Sequence, residues 1–145
     1  MQKQILARQF LKKGIDIYVA LRYTQYIEVR YIALKGTGEC KMDQHIKKVY
    51  VPMTETAFFI LLCLQKPNHG YGVVQMVEKM TDGAVKLTPG TMYGSLSKME
   101  KDNVIKFVRE EDKRKIYQIT DLGLEVLQTE LRRIERLYRI AQEEI

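Results

Sequence analysis

LTPGTMYGSLSKMEKDN, residues 87–103, specifies a helix with both of its ends and the character of its two faces. Thr88 offers an N-cap oxygen, and Pro89 suits the first helical position, where its missing N–H is no loss. Met92, Leu96 and Met99 recur at helical spacing and make one apolar face. At about 100° per residue, Gly90, Gly94, Ser97, Lys98 and Lys101 fall opposite them, with small side chains in front and ammonium groups behind. A helix that enters a DNA groove needs such a face, because bulky side chains would hold its backbone away from base edges and phosphates. Asn103 tolerates the left-handed conformation common just past a helix end. The alternative is an ordinary amphipathic helix with a solvated polar face.

The residues that follow favour the groove-binding reading. VIKFVRE (104–110) and KIYQIT (115–120) are β-rich runs whose bulky members are Val104, Phe107, Ile116, Tyr117 and Ile119. The polar EDKR between them reads as a hairpin tip, and a helix followed by a hairpin is the core of a winged helix. Arg109, Lys113, Arg114 and Lys115 flank the tip as candidate phosphate contacts. Glu110, Glu111 and Asp112 oppose them, which makes the Lys113–Lys115 side the expected contacting edge.

Two helical segments precede this unit. TETAFFILLCLQ (54–65), with Thr54 as a cap, is apolar on nearly every side and is expected to be buried. It is far too short to span a bilayer. After Pro67 and Asn68, HGYGVVQMVEKM (69–80) resumes with Val73, Val74, Met76, Val77 and Met80 as the expected core set. TDGAVKL (81–87) holds a turn with room for a short strand against the wing. The fold class is α+β, mostly α: a winged helix-turn-helix with a long C-terminal dimerisation helix.

The succession of HGYG, LTPGTMYGSL and KIYQITDLG resembles the PadR family of bacterial winged-helix transcriptional regulators, from about Thr54 to the C-terminus. The resemblance implies a homodimer on palindromic operator DNA, usually a repressor, often released by a small ligand. By position, Tyr71 belongs to the HGY motif, and Thr91 and Tyr93 to the PGTxY motif of the recognition helix. Lys113, Arg114 and Lys115 match the basic run of the wing, and Thr120 with Gly123 opens the last helix. Gly94 stands where many members carry proline, Asn103 replaces a usual glycine, and acidic residues occupy a wing tip where glycine is common.

From Thr120 onward, Leu124, Leu127, Leu131, Ile134, Tyr138 and Ala141 alternate at spacings of three and four, an a/d seam suited to a partner helix. A partner subunit is the expected cover, and packing onto its own domain is the rival. Segment 42–53, MDQHIKKVYVPM, leaves open a short helix or an extended arm, with Ile46, Val49 and Tyr50 on one face.

Charge bears on the DNA reading less than it first suggests. The net charge is +6, but residues 1–41 hold eight basic and three acidic side chains, or +5, which leaves only +1 for residues 42–145. The case rests on where particular lysines sit. IDIYVALRYTQYIEVRYIAL (15–34) followed by KGTGEC shows no repeat or cleavage pattern. Gly38–Glu39 must be encoded by GGN then GAA or GAG, a purine-rich string placed like a ribosome-binding site ahead of Met42. Met42 is therefore the expected natural start. The rival is a genuine extension, a β-hairpin on the dimer surface or a basic arm on DNA. The expected division is residues 1–41 as extension, 42–119 as DNA-binding domain and 120–145 as dimerisation helix.

No catalytic or metal-binding pattern stands out. Cys40 and Cys63 are far apart, and Cys63 lies in the most apolar run, where a thiol behaves as a small hydrophobe. His45 and His69 lie outside any ligand-spaced cluster, and His69 is expected to cap or turn into the second helix. No cofactor is expected, and a reducing cytoplasm is the default compartment. Operator DNA and a second copy of the chain are the expected partners, with a small aromatic effector a further one at a dimer interface that includes Tyr138. The alternative function is a winged-helix module that binds protein, which salt dependence would separate from phosphate-driven binding.

Overall fold

A computed structural model describes residues 42–145; the expected extension at 1–41 and the start at Met42 lie outside the described residues. Helix α1 (Gln44–Tyr50) begins at Asp43, whose carboxylate accepts the His45 N–H, and it buries Ile46 and Tyr50 while Val49 is 37% exposed. This settles the short-helix alternative for 42–53. Helix α2 (Glu55–Cys63) is capped by Thr54, whose Oγ1 accepts the Ala57 N–H at 3.2 Å. Ile60, Leu61 and Cys63 are buried, whereas Phe58, Phe59 and Leu62 are only half-buried. The all-round burial expected of this helix is therefore incomplete within the chain.

Strand β1 (Asn68–His69) leads into helix α3 (Gly70–Met80), and His69 Nδ1 accepts the Gly72 N–H at 3.0 Å as the N-cap. Helix α4 (Pro89–Lys101) follows, then strands β2 (Ile105–Glu111) and β3 (Arg114–Ile119), and finally helix α5 (Asp121–Glu144). The sheet is antiparallel in the order β1-β3-β2, with Asn68 opposite Tyr117 and His69 opposite Ile116. The strand that joins the wing thus comes from 68–69. Residues 81–87 form turns and irregular backbone instead, a correction to the expected strand there. The Thr81 hydroxyl accepts the Val85 N–H at 3.1 Å and so offers that segment a local alternative to a ladder.

Helix α4 is closed at both ends as its residues require. Thr88 Oγ1 accepts the Thr91 N–H at 3.3 Å. At the other end the Val104 N–H reaches Met99 O and the Asn103 N–H reaches Glu100 O, with Asn103 at φ 57°, a Schellman closure that asparagine tolerates. Met92, Leu96 and Met99 are 1–2% exposed. They pack with Ile60, Leu61, Leu64, Val73, Val77, Val104, Ile105 and Leu127 as the core of the domain. Three members of the expected core set of α3 lie outside it: Val74 is half-buried, Met76 is 43% and Met80 46% exposed, and only Val73 and Val77 are buried.

The wing turns at Asp112–Lys113, both at positive φ (50° and 61°), the geometry of a two-residue type I′ hairpin. In β2 the buried residue is Ile105, whereas Phe107 is 46% exposed and meets Tyr117 edge-on at 6.4 Å. The register shift between Phe107 and Arg109 marks a bulge that resets the alternation.

Candidate nucleic-acid interface

The front of α4 is open. A Cβ built on Gly90 or Gly94 meets no atom within 4 Å, so neither glycine is required by packing. Gly94, in the helix interior, costs the helix roughly 0.5–1 kcal/mol relative to alanine. Thr91, Ser97 and Lys101 are exposed around the two glycines, and Tyr93 is 59% exposed on one flank. The Thr88 hydroxyl donates to Thr91 Oγ1 at 2.9 Å, so the cap also orients the neighbouring threonine. The result is a low, polar surface on a rigid helix.

The glycines behind α4 are the opposite case. A Cβ on Gly70 would sit 3.2 Å from Tyr93 Cε1 and 3.3 Å from Leu96 Cδ1, so its absence sets how closely α3 approaches α4. A Cβ on Gly72 would collide with the Asn68 side-chain amide, and one on Gly123 with the backbone oxygen of Val104. Gly123 opens α5, where its N–H donates to Thr120 Oγ1 at 3.1 Å and the Thr120 hydroxyl donates to Asn103 O at 2.6 Å. That contact binds the start of α5 to the end of α4.

Tyr71 joins the start of α3 to the wing. It is 56% exposed, and the Arg114 guanidinium lies 6.0 Å from its ring centroid, at the outer limit of a cation–π contact. Lys113 stands at the wing apex, with Arg114 and Lys115 at the start of β3. The acidic residues of the tip meet basic neighbours: Arg109 Nε donates to Glu111 Oε1 at 2.8 Å, Glu111 is opposite Arg114, and Glu110 is opposite Lys115. Exposed pairs of this kind contribute little, about 0–1 kcal/mol, and leave the cations exchangeable.

Lys98 departs from its expected place. It lies on the flank of α4 that faces α1, where Nζ donates to Asp102 Oδ2 at 2.7 Å and sits 5.3 Å from the Tyr50 ring centroid. The open face therefore consists of Gly90, Gly94, Ser97 and Lys101, with Thr91 and Tyr93 beside it.

The expected dimer seam also divides. Leu124 and Leu127 are 5% and 2% exposed inside their own chain, because the first turns of α5 pack against α2 and β3. For these two residues packing on the home domain is correct and the partner-helix expectation is not. Leu131 is half-buried, while Ile134 is 41% and Tyr138 56% exposed and Ala141 lies on the exposed end. Leu137, absent from the expected seam, is 49% exposed beside it.

Glu130 carries no local sequence signal for its place in the fold. It is 1% exposed and accepts two hydrogen bonds from Arg133, at 2.6 and 2.9 Å. The Arg133 hydrogen bonds, together with the Met53 backbone N–H, hold its carboxyl below the usual carboxylate range despite burial. The i,i+3 spacing to Arg133 was visible, but the approach of Met53 depends on tertiary structure. Burial pushes the Cys63 thiol up to about 11, so it is an inert core residue. Among the described residues no helix is long and apolar enough to cross a membrane.

Residues 60–129 match the model of the transcriptional regulator PadR-like family. A 37.1 kDa protein in transposon TN4556 of Streptomyces fradiae is 28% identical over 86 residues, covering 58% of this chain and 24% of that protein. Protein X of Lysinibacillus sphaericus is 31% identical over 71 residues, covering 46% of this chain and 65% of that protein. The chain thus spans less than two thirds of either curated relative. The crystal structure of a PadR family transcription regulator from Clostridium difficile aligns with a TM-score of 0.54 at 24% identity, over 62% of this chain and 97% of that one. That likeness supports the winged-helix fold.

Proposed function

We propose that this chain, whose residues 60–129 match the transcriptional regulator PadR-like family, is a homodimeric repressor that binds a palindromic operator. In this reading residues 42–119 bind DNA and residues 120–145 dimerise. Helix α4 enters the major groove with Gly90, Thr91, Gly94, Ser97 and Lys101 towards the bases and phosphates, and Tyr93 and Thr88 at its margin. Lys113, Arg114 and Lys115 follow the backbone beside it, with Arg114 supported by Tyr71. The exposed residues of α5 from Ile134 to Tyr138 meet those of a second copy. Two recognition helices about 34–36 Å apart would then read half-sites one turn apart. No observation among the described residues carries the small aromatic effector, so the proposal does not include it.

The observation that carries the reading is the open space in front of Gly90 and Gly94, two glycines that serve no contact among the described residues. The test is a fluorescence-anisotropy titration of the full chain with duplex DNA from its own upstream region, at low and high salt. Tight, competitor-resistant binding that weakens steeply with salt supports the proposal. Binding to a protein partner with no measurable DNA affinity would support the interaction-module alternative and overturn it.

A further inference from the structure

We propose that Asp102 is a built-in competitor of DNA phosphate, holding the Lys98 ammonium on the flank of the recognition helix so that this lysine adds nothing to DNA affinity in the native chain. The inference rests on the DNA-binding reading above. One carboxylate oxygen organises the site: Asp102 Oδ2 accepts from Lys98 Nζ at 2.7 Å and from the Tyr50 hydroxyl at 2.7 Å. Tyr50 is 4% exposed, so the phenol is held by α1 and aims the carboxylate. The Asp102 side chain is 16% exposed and that of Lys98 55%, an anchored acid with a solvent-facing base.

Asp102 stands at the C-cap of α4, where the helix dipole disfavours an anion. The carboxylate therefore does not serve the helix end, and its two donors supply the compensation. The Lys98 hydrogen bond is the first cause that holds this carboxyl below its usual range, so the anion persists at neutral pH. A helix seated in the major groove has phosphates along its flanks, and the flexible four-carbon stem of a released lysine can reach one. Removing the negative charge of Asp102 converts Lys98 from an internal ion-pair partner into a phosphate contact.

The test is the salt dependence of binding of the full chain to the same upstream duplex. Asp102→Asn keeps an acceptor for the Tyr50 hydroxyl and removes the charge. It should steepen the slope of log K against log salt by about 0.9, so its advantage over the native chain shrinks roughly 3.5-fold between 50 and 200 mM salt. Lys98→Met should leave the native slope unchanged, and the double variant should return to it. An unchanged slope for Asp102→Asn at a native melting temperature overturns the inference. So does a Lys98→Met slope shallower by about one, a result independent of how Asp102→Asn folds. In both of these cases the native chain still binds DNA; a native chain that binds no duplex instead overturns the DNA-binding reading and this inference with it.

Discussion

The two sides of helix α4 use the same residue type in opposite ways. Behind it, Gly70 admits α3 to close contact, and Gly123 lets α5 start against the backbone of Val104. In front, a Cβ at Gly90 or Gly94 would meet no atom of the described residues within 4 Å. A glycine behind the helix is a condition of close packing, whereas a glycine in front meets nothing among the described residues. The contrast recurs along α5, where Leu124 and Leu127 are consumed by the home domain and Ile134 and Leu137 remain exposed.

The largest effect that would sharpen this contrast is on the closed side. Gly123→Ala places a methyl group against the Val104 carbonyl oxygen and near Ile119 Cγ1. The expected loss is about 2–3 kcal/mol, a fall in Tm of roughly 10 °C or more by calorimetry. An unchanged Tm would mean that α5 can shift freely and that the closed class does not exist. On the open half of α5, Leu137→Asp should leave the fold intact and convert a dimer to a monomer in analytical ultracentrifugation at low micromolar concentration. A native chain that sediments as a monomer would break the comparison there.

Smaller changes address the helix itself. Thr88→Ala removes the oxygen that accepts the Thr91 N–H and should cost about 1 kcal/mol in a denaturant titration. The smallest expected effect concerns pH. The folded carboxyl of Glu130 is held below its unfolded value, so its stabilisation is fully present above the ordinary carboxylate range and is lost as pH falls through the folded value. Glu130→Gln should flatten the acid limb of the stability profile, and an acid limb identical to the native one would remove Arg133 and Met53 as its cause.

What was legible in the sequence follows from whether the signal was local. Helix α4 carries Thr88, Pro89 and Asn103 within its own residues, and its 3.6 period matches the buried set of Met92, Leu96 and Met99. The pairing of Asn68–His69 with β3 could not be read there, because Pro67 and Asn68 look like a helix break and the partners, Tyr117 and Ile116, lie far along the chain. Phe107 is one of the bulky β-formers of its run, yet the bulge after it and its position on the outer strand leave it exposed. Lys98 was assigned to the groove by its angle alone. The i,i+4 spacing to Asp102 hinted at a pair, whereas the Tyr50 hydroxyl arrives from α1 and carries no local signal.

The most direct test of the account compares Gly94→Leu with the native chain, measuring thermal stability and affinity for the upstream duplex on the same samples. Leucine meets nothing within the chain near Cβ and is a better helix former than glycine, so Tm should hold or rise. Affinity should fall by about a hundredfold or more, equivalent to roughly 2.8 kcal/mol, because the side chain stands between helix and groove. A Gly94→Leu chain that binds the duplex as tightly as the native one would show that the open face of α4 is not the DNA-contacting surface.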